Sequence, residues 1–138
     1  MKIITIFTLL IIGALIFTGI TNNDVNASSA LFKQSKDISS NLAVPEGLIF
    51  SPNGLKMYVV DNTGDLVEEY SLSTAWNIAT AVHAGSNLAI ADAQTDVPED
   101  IAFNSDGSKM YLVDRDGDVI LEYNLSTAYD VSTGAYQS

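Results

Sequence analysis

Three carboxylates fall within five residues at Asp114-Arg115-Asp116-Gly117-Asp118, the residue type and density of a hard-cation loop. The loop departs from the EF-hand template. Glycine stands at its fourth position instead of the sixth, and Leu125 stands where a bidentate glutamate is needed. Two readings follow: a weak calcium site on Asp114, Asp116 and Asp118, or a solvated Asp-Gly hairpin turn. Glu46 and Glu99 each follow a proline. Carboxylates repeated in this way can ring a cation or a polar ligand; their plainer role is solvation and capping of backbone N–H groups. Trp76 and Tyr129 both follow Leu-Ser-Thr-Ala. An aromatic ring there can stack on a sugar or pack between repeated units.

His83 is the only histidine, and there is no cysteine. A His-rich metal site within one chain, Cys-ligated zinc, a thiolate nucleophile and disulfides are thereby excluded. No serine sits in a G-x-S-x-G context, so a Ser-His-Asp triad has no support. Six Lys and Arg stand against 17 Asp and Glu, giving a net charge of −11. Such a surface repels nucleic acid, whose phosphates need a basic patch. The hydrophobic fraction of 47% is too high for a disordered chain. The expectation is a protein without catalytic residues and without a cofactor, calcium at the aspartate loop being the exception. Its partner would be a protein or a carbohydrate.

These residues recur because the chain recurs. Val44-Pro45-Glu46 returns as Val97-Pro98-Glu99, an offset of 53. The same offset pairs Lys56-Met57-Tyr58 with Lys109-Met110-Tyr111, and Leu72-Ser73-Thr74-Ala75 with Leu125-Ser126-Thr127-Ala128. From Val44 to Gly85, 19 of 42 aligned pairs are identical. A repeat of this length indicates a solenoid, propeller or array. Each unit reads as strands. Gly47–Phe50 is a short apolar run, and Ser51-Pro52-Asn53-Gly54 is a tight turn. Lys56–Asp61 is apolar on both faces, as in a sheet covered on both sides. Asp116-Gly117 marks a hairpin, and Val119–Leu125 alternates apolar residues at its odd positions. A weaker fourth strand is expected around Val82–Ile90.

Four antiparallel strands per unit, covered on both faces, describe a β-propeller blade. Phe-Ser-Pro-Asn-Gly-Leu-Lys-Met-Tyr-Val-Val-Asp at 50–61 resembles the FSPDGxKMYV core of YVTN/NHL-like propeller repeats. Glu69-Tyr70-Ser71-Leu72-Ser73-Thr74-Ala75-Trp76-Asn77-Ile78 resembles the EYxLSTAWDVSTA variant of secreted and surface proteins. The resemblance covers residues 44–138. It implies an all-β fold of two four-stranded blade repeats in an incomplete ring, blade 1 at 44–96 and blade 2 at 97–138. A propeller needs about four to eight blades, so two do not close. Blade 2 is expected to lack its outer strand, and residues 28–43 to be the outer strand of a preceding blade or a linker. That offset implies either a ring of several copies of this chain or a piece of a longer propeller. The function implied is a non-catalytic binding or surface scaffold; the alternative is a lactonase or hydrolase with a carboxylate-bound metal.

Residues 3–20 are an uncharged apolar run behind Lys2. A polar stretch and Val25-Asn26-Ala27 follow, fitting signal-peptidase cleavage between Ala27 and Ser28. The competing reading is an uncleaved membrane anchor. Both place the remainder outside the cytoplasm: secreted, periplasmic or on the cell surface.

Overall fold

The computed structural model describes residues 32–90 and 97–136, which form two four-stranded antiparallel sheets in chain order. The first contains β1 (Pro45–Phe50), β2 (Lys56–Asp61), β3 (Leu66–Leu72) and β4 (Ala81–Ala89). The second contains β5 (Pro98–Phe103), β6 (Lys109–Asp114), β7 (Val119–Leu125) and β8 (Gly134–Tyr136). Segment 1–27, with its cleavage point at Ala27–Ser28, lies outside the described residues. Among the described residues no helix is long and apolar enough to cross a membrane.

The repeat is copied in backbone detail. Pro45 and Pro98 open β1 and β5, the position where a missing N–H breaks no ladder. Each inner strand then carries a register shift, between Pro45 and Leu48 and between Pro98 and Asp100. Each β3–β4 type connection holds one 3₁₀ turn, Ile78–Thr80 or Val131–Thr133. The Asn77 and Asp130 side chains cap these turns by accepting from the Ala79 and Ser132 amides, both at 3.2 Å. Blade 2 was expected to end before its outer strand; β8 is present instead, three residues paired with β7.

Strand alternation gives each sheet two faces. The face pointing to the next unit is called forward here, the opposite one rear. Tyr58, Val60 and Val67 of the first sheet's forward face are buried against Met110, Leu112, Leu121, Tyr123 and Leu125 of the second sheet's rear face. Leu88 and Ile90, leaving β4, complete this seam. On the rear face of the first sheet, Met57, Val59, Tyr70, Leu72 and Ala81 form a second core with Leu42 and Ile38. Residues 32–43, expected as an outer strand or a linker, carry no strand in the single chain. Asp37 accepts from the amide and hydroxyl of Ser39, and the Ile38 carbonyl accepts from the Asn41 and Leu42 amides. The resulting turn delivers Leu42 to the core.

Candidate functional site

The aspartate loop is built around its backbone. Asp114, at the end of β6, is buried. Its carboxylate accepts from the Val97 amide at 3.1 Å and the Gly117 amide at 2.9 Å. Asp61 repeats the device, accepting from the Val44 amide at 2.7 Å and the Ala43 amide at 3.2 Å. Each aspartate therefore ties the chain entering a unit to the end of β2 or β6, and Asp114 also holds the hairpin that follows through Gly117. Asp116 is exposed, 3.8 Å from the Arg115 guanidinium, and Asp118 holds a left-handed φ of 51°. Among the described residues, no group of three or more acidic or histidine side chains is gathered to hold a metal. Asp114, Asp116 and Asp118 are thus neighbours in sequence with separate surroundings.

Glu46 and Glu99 sit second in β1 and β5, at equivalent rim positions. Glu46 is exposed; Glu99 accepts from Arg115 Nη1 at 2.8 Å. His83, on β4, pairs with the buried carboxylate of Glu68 at 2.5 Å.

Trp76 and Tyr129 occupy the same unusual backbone conformation, with φ of 63° and 57°. The Trp76 amide donates to the Gly54 carbonyl at 2.9 Å, and the Tyr129 amide to the Gly107 carbonyl at 3.0 Å. The rings lie directly over those glycines: a Cβ on Gly54 would stand 2.5 Å from the indole, and one on Gly107 would stand 2.3 Å from the phenol ring. Phe50 and Phe103 buttress them, with centroids 5.3 and 5.5 Å away. The result is an aromatic face backed by glycine at the same place in each unit. Trp76 remains 58% exposed, so its ring is open to solvent although it is fixed from behind.

Tyr129 lies at the seam between the units. Its carbonyl accepts from Lys56 Nζ at 2.8 Å and from the Tyr58 hydroxyl at 2.7 Å. Lys56 Nζ also contacts Glu69 Oε1 at 2.9 Å. Burial pushes the Tyr58 phenol well above the ordinary tyrosine range, and the Glu69 carboxylate adds to it. A cleft of about 580 Å³ opens beside this clamp, lined by Ser51, Asn53, Lys56, Ser71, Asp106 and Tyr129 among others. That volume suits a small ligand. Lys56 and Asp106 escape sequence reasoning as site residues because Lys-Met-Tyr reads as strand and Ser-Asp-Gly as turn. The available signal was the offset itself, which returns Lys56 as Lys109 and Trp76 as Tyr129.

No family model and no curated protein matches the sequence. Solved structures do. A Bacteroides fragilis protein proposed to be a 6-phosphogluconolactonase is similar at 20% identity and a TM-score of 0.53, over 67% of this chain and 25% of its own. A Desulfotomaculum acetoxidans protein of unknown function is similar at 19% identity and a TM-score of 0.55, over 81% of this chain and 32% of its own. The chain thus spans between a quarter and a third of these structures. The likeness is one of fold, and two β-sheets of propeller-blade type are what the chain shares with them.

Proposed function

We propose that the chain is an exported, YVTN/NHL-like propeller module that binds a carbohydrate or protein partner without catalysis, as a secreted or surface scaffold. The observation carrying this reading is Trp76, a ring held from behind by Gly54 and open in front. An aromatic face fixed in this way stacks on the apolar face of a sugar with little loss of side-chain entropy. Tyr129 repeats the platform beside the cleft, and repetition across units supplies avidity in place of one deep pocket. The carboxylates of Glu46 and Glu99 supply polar groups along one rim.

Trp76 is the single tryptophan, so its fluorescence reports on the site directly. Titration with a panel of neutral and acidic oligosaccharides is expected to give saturable quenching for at least one class, lost in Trp76→Ala. Absence of quenching across the panel, together with no retention of a protein partner sensitive to Trp76→Ala, overturns the platform.

The second reading is a lactonase or hydrolase, favoured by the likeness to the Bacteroides protein. It requires a metal held by channel carboxylates, for which Glu46 and Glu99 stand one per unit near the start of β1 and β5. Metal-dependent hydrolysis of a sugar lactone, abolished by Glu99→Gln, would establish it.

A further inference from the structure

The two ends of the pair of sheets are not alike in exposure, although they are alike in sequence. On the forward face of the first sheet Tyr58, Val60 and Val67 are fully buried. At offset 53 the second sheet carries Tyr111, Val113 and Ile120, and there Val113 is 41% and Ile120 71% exposed. Lys109 and Glu122 reproduce the Lys56–Glu69 ion pair beside them. An apolar cleft of about 420 Å³ runs over Ala102, Tyr111, Val113 and Ile120. At the opposite end, Leu48 on the rear face of the first sheet is 52% exposed, whereas its counterpart Ile101 in the seam is buried. Trp76 stands exposed beside it.

We infer that the forward face of the second sheet docks on the rear face of the first sheet of another copy of this chain, head to tail. The in-chain seam supplies the template. Within the chain, Tyr58 stacks on Phe103 with centroids 4.7 Å apart, while Lys56 and Tyr58 donate to the Tyr129 carbonyl. Between copies, Tyr111 meets Phe50, and Lys109 and the Tyr111 hydroxyl meet the Trp76 carbonyl. That carbonyl belongs to a residue in the same left-handed conformation as Tyr129. Ile38 and Leu42 already lie over the rear face where Leu88 and Ile90 lie in the seam. One position departs from the template. Gly47 lets β1 approach β5 so closely that a Cβ on it would be 2.7 Å from Asp100 Cα. Its counterpart on the docking face is Asp100 itself, so the inner strands stand further apart between copies than within one.

A contact of this kind is heterologous: each copy offers one face and uses the other, and repetition closes a ring or extends a filament. About two to four copies bring the count into the four-to-eight-blade range of closed propellers. The inference rests on the two sheets being blades and is separable from the binding role of Trp76.

The test is light scattering on the chain as exported and processed by its expression host, across tens of micromolar. A discrete species of about two to four copies, or a concentration-dependent ladder, supports the seam. Ile120→Asp and Leu48→Asp each change an exposed side chain, and each alone is expected to be monomeric and folded, with a cooperative melt that no longer depends on concentration. Mixed in equal amounts, they retain one intact forward face and one intact rear face, and are expected to form a one-to-one complex. Asp100→Gly is expected to tighten association. A monomeric wild type overturns the inference, as does an assembly indifferent to both aspartate variants or a mixture that gives no complex. If that wild type still shows quenching at Trp76, the binding role stands without the seam.

Discussion

Tyr58 and Tyr123 are both buried strand tyrosines, and they make opposite predictions. The Tyr58 hydroxyl donates to the Tyr129 carbonyl across the seam. Among the described residues the buried Tyr123 hydroxyl finds no hydrogen-bond partner, and neither does that of its repeat counterpart Tyr70. A made hydrogen bond contributes about 0.5–1.5 kcal/mol, whereas an unsatisfied buried group costs about 1–3 kcal/mol. Tyr58→Phe is therefore expected to lower stability by about 1 kcal/mol in urea unfolding. Tyr123→Phe is expected to leave it unchanged or raise it by about 1 kcal/mol. Loss in both variants would mean that the Tyr123 hydroxyl has a partner in solution. Asp114 belongs to this scale too. Its carboxylate holds two backbone amides, so Asp114→Ala is expected to cost about 3 kcal/mol in the same assay, from charge-assisted bonds worth about 1.5–3 kcal/mol each. Asp116→Asn, exposed beside Arg115, is expected to cost less than about 0.5 kcal/mol. Equal losses would mean that the loop acts as one unit around something it holds.

At the scale of elements, the turn between β5 and β6 depends on Gly107, whose φ of 73° and whose missing Cβ both serve the Tyr129 ring above it. Gly107→Ala is expected to cost about 1–2 kcal/mol for the left-handed backbone and further energy for the clash with the ring. In a Tyr129→Ala background the clash is gone and only the backbone cost remains. The two substitutions are thus expected to couple by more than about 1 kcal/mol in a double-mutant cycle of thermal stability. Additive effects would place the ring away from the glycine. The strands and turns around this contact were legible because proline, glycine and the apolar alternation encode them locally. The glycine–aromatic stack was not. It joins the β5–β6 turn to the segment after β7, and only folding the sheet brings them together. The bonds of Asp114 were hidden for a related reason. Its neighbours in sequence are acidic and suggest a cation, while amides from two chain segments, which carry no residue-type signal, donate to it. The repeat also announced which positions are equivalent, yet not that Val67 is buried and Ile120 exposed. That difference comes from what stands next to each sheet, not from the strand itself.

The whole molecule carries −11 at neutral pH and buries tyrosines at Tyr58, Tyr70 and Tyr123, so its stability is expected to fail from the alkaline side. Burial raises all three phenols above the ordinary value of 10.0, with Glu69 adding to Tyr58, Glu68 to Tyr70 and Tyr136 to Tyr123. A group whose folded-state pKa is raised stabilises the fold fully below its unfolded value and loses that contribution as pH rises past it. Each phenol that ionises only on unfolding then removes about 1.4 kcal/mol per pH unit above 10. Tyr58, Tyr70 and Tyr123 all act in this direction, so their losses add. Self-repulsion among the carboxylates acts in the same direction and weakens with salt, whereas the tyrosine contribution is shielded from salt by burial. Melting followed by circular dichroism from pH 8 to pH 11 is therefore expected to show a plateau and then a steep fall beginning near pH 10, present in both low and high salt. The fall becomes shallower in Tyr123→Phe, because one of the raised phenols is removed. A fall that high salt abolishes would assign alkaline lability to surface charge alone. A fall unchanged by Tyr123→Phe would mean that the second sheet opens its tyrosine to water before the molecule unfolds.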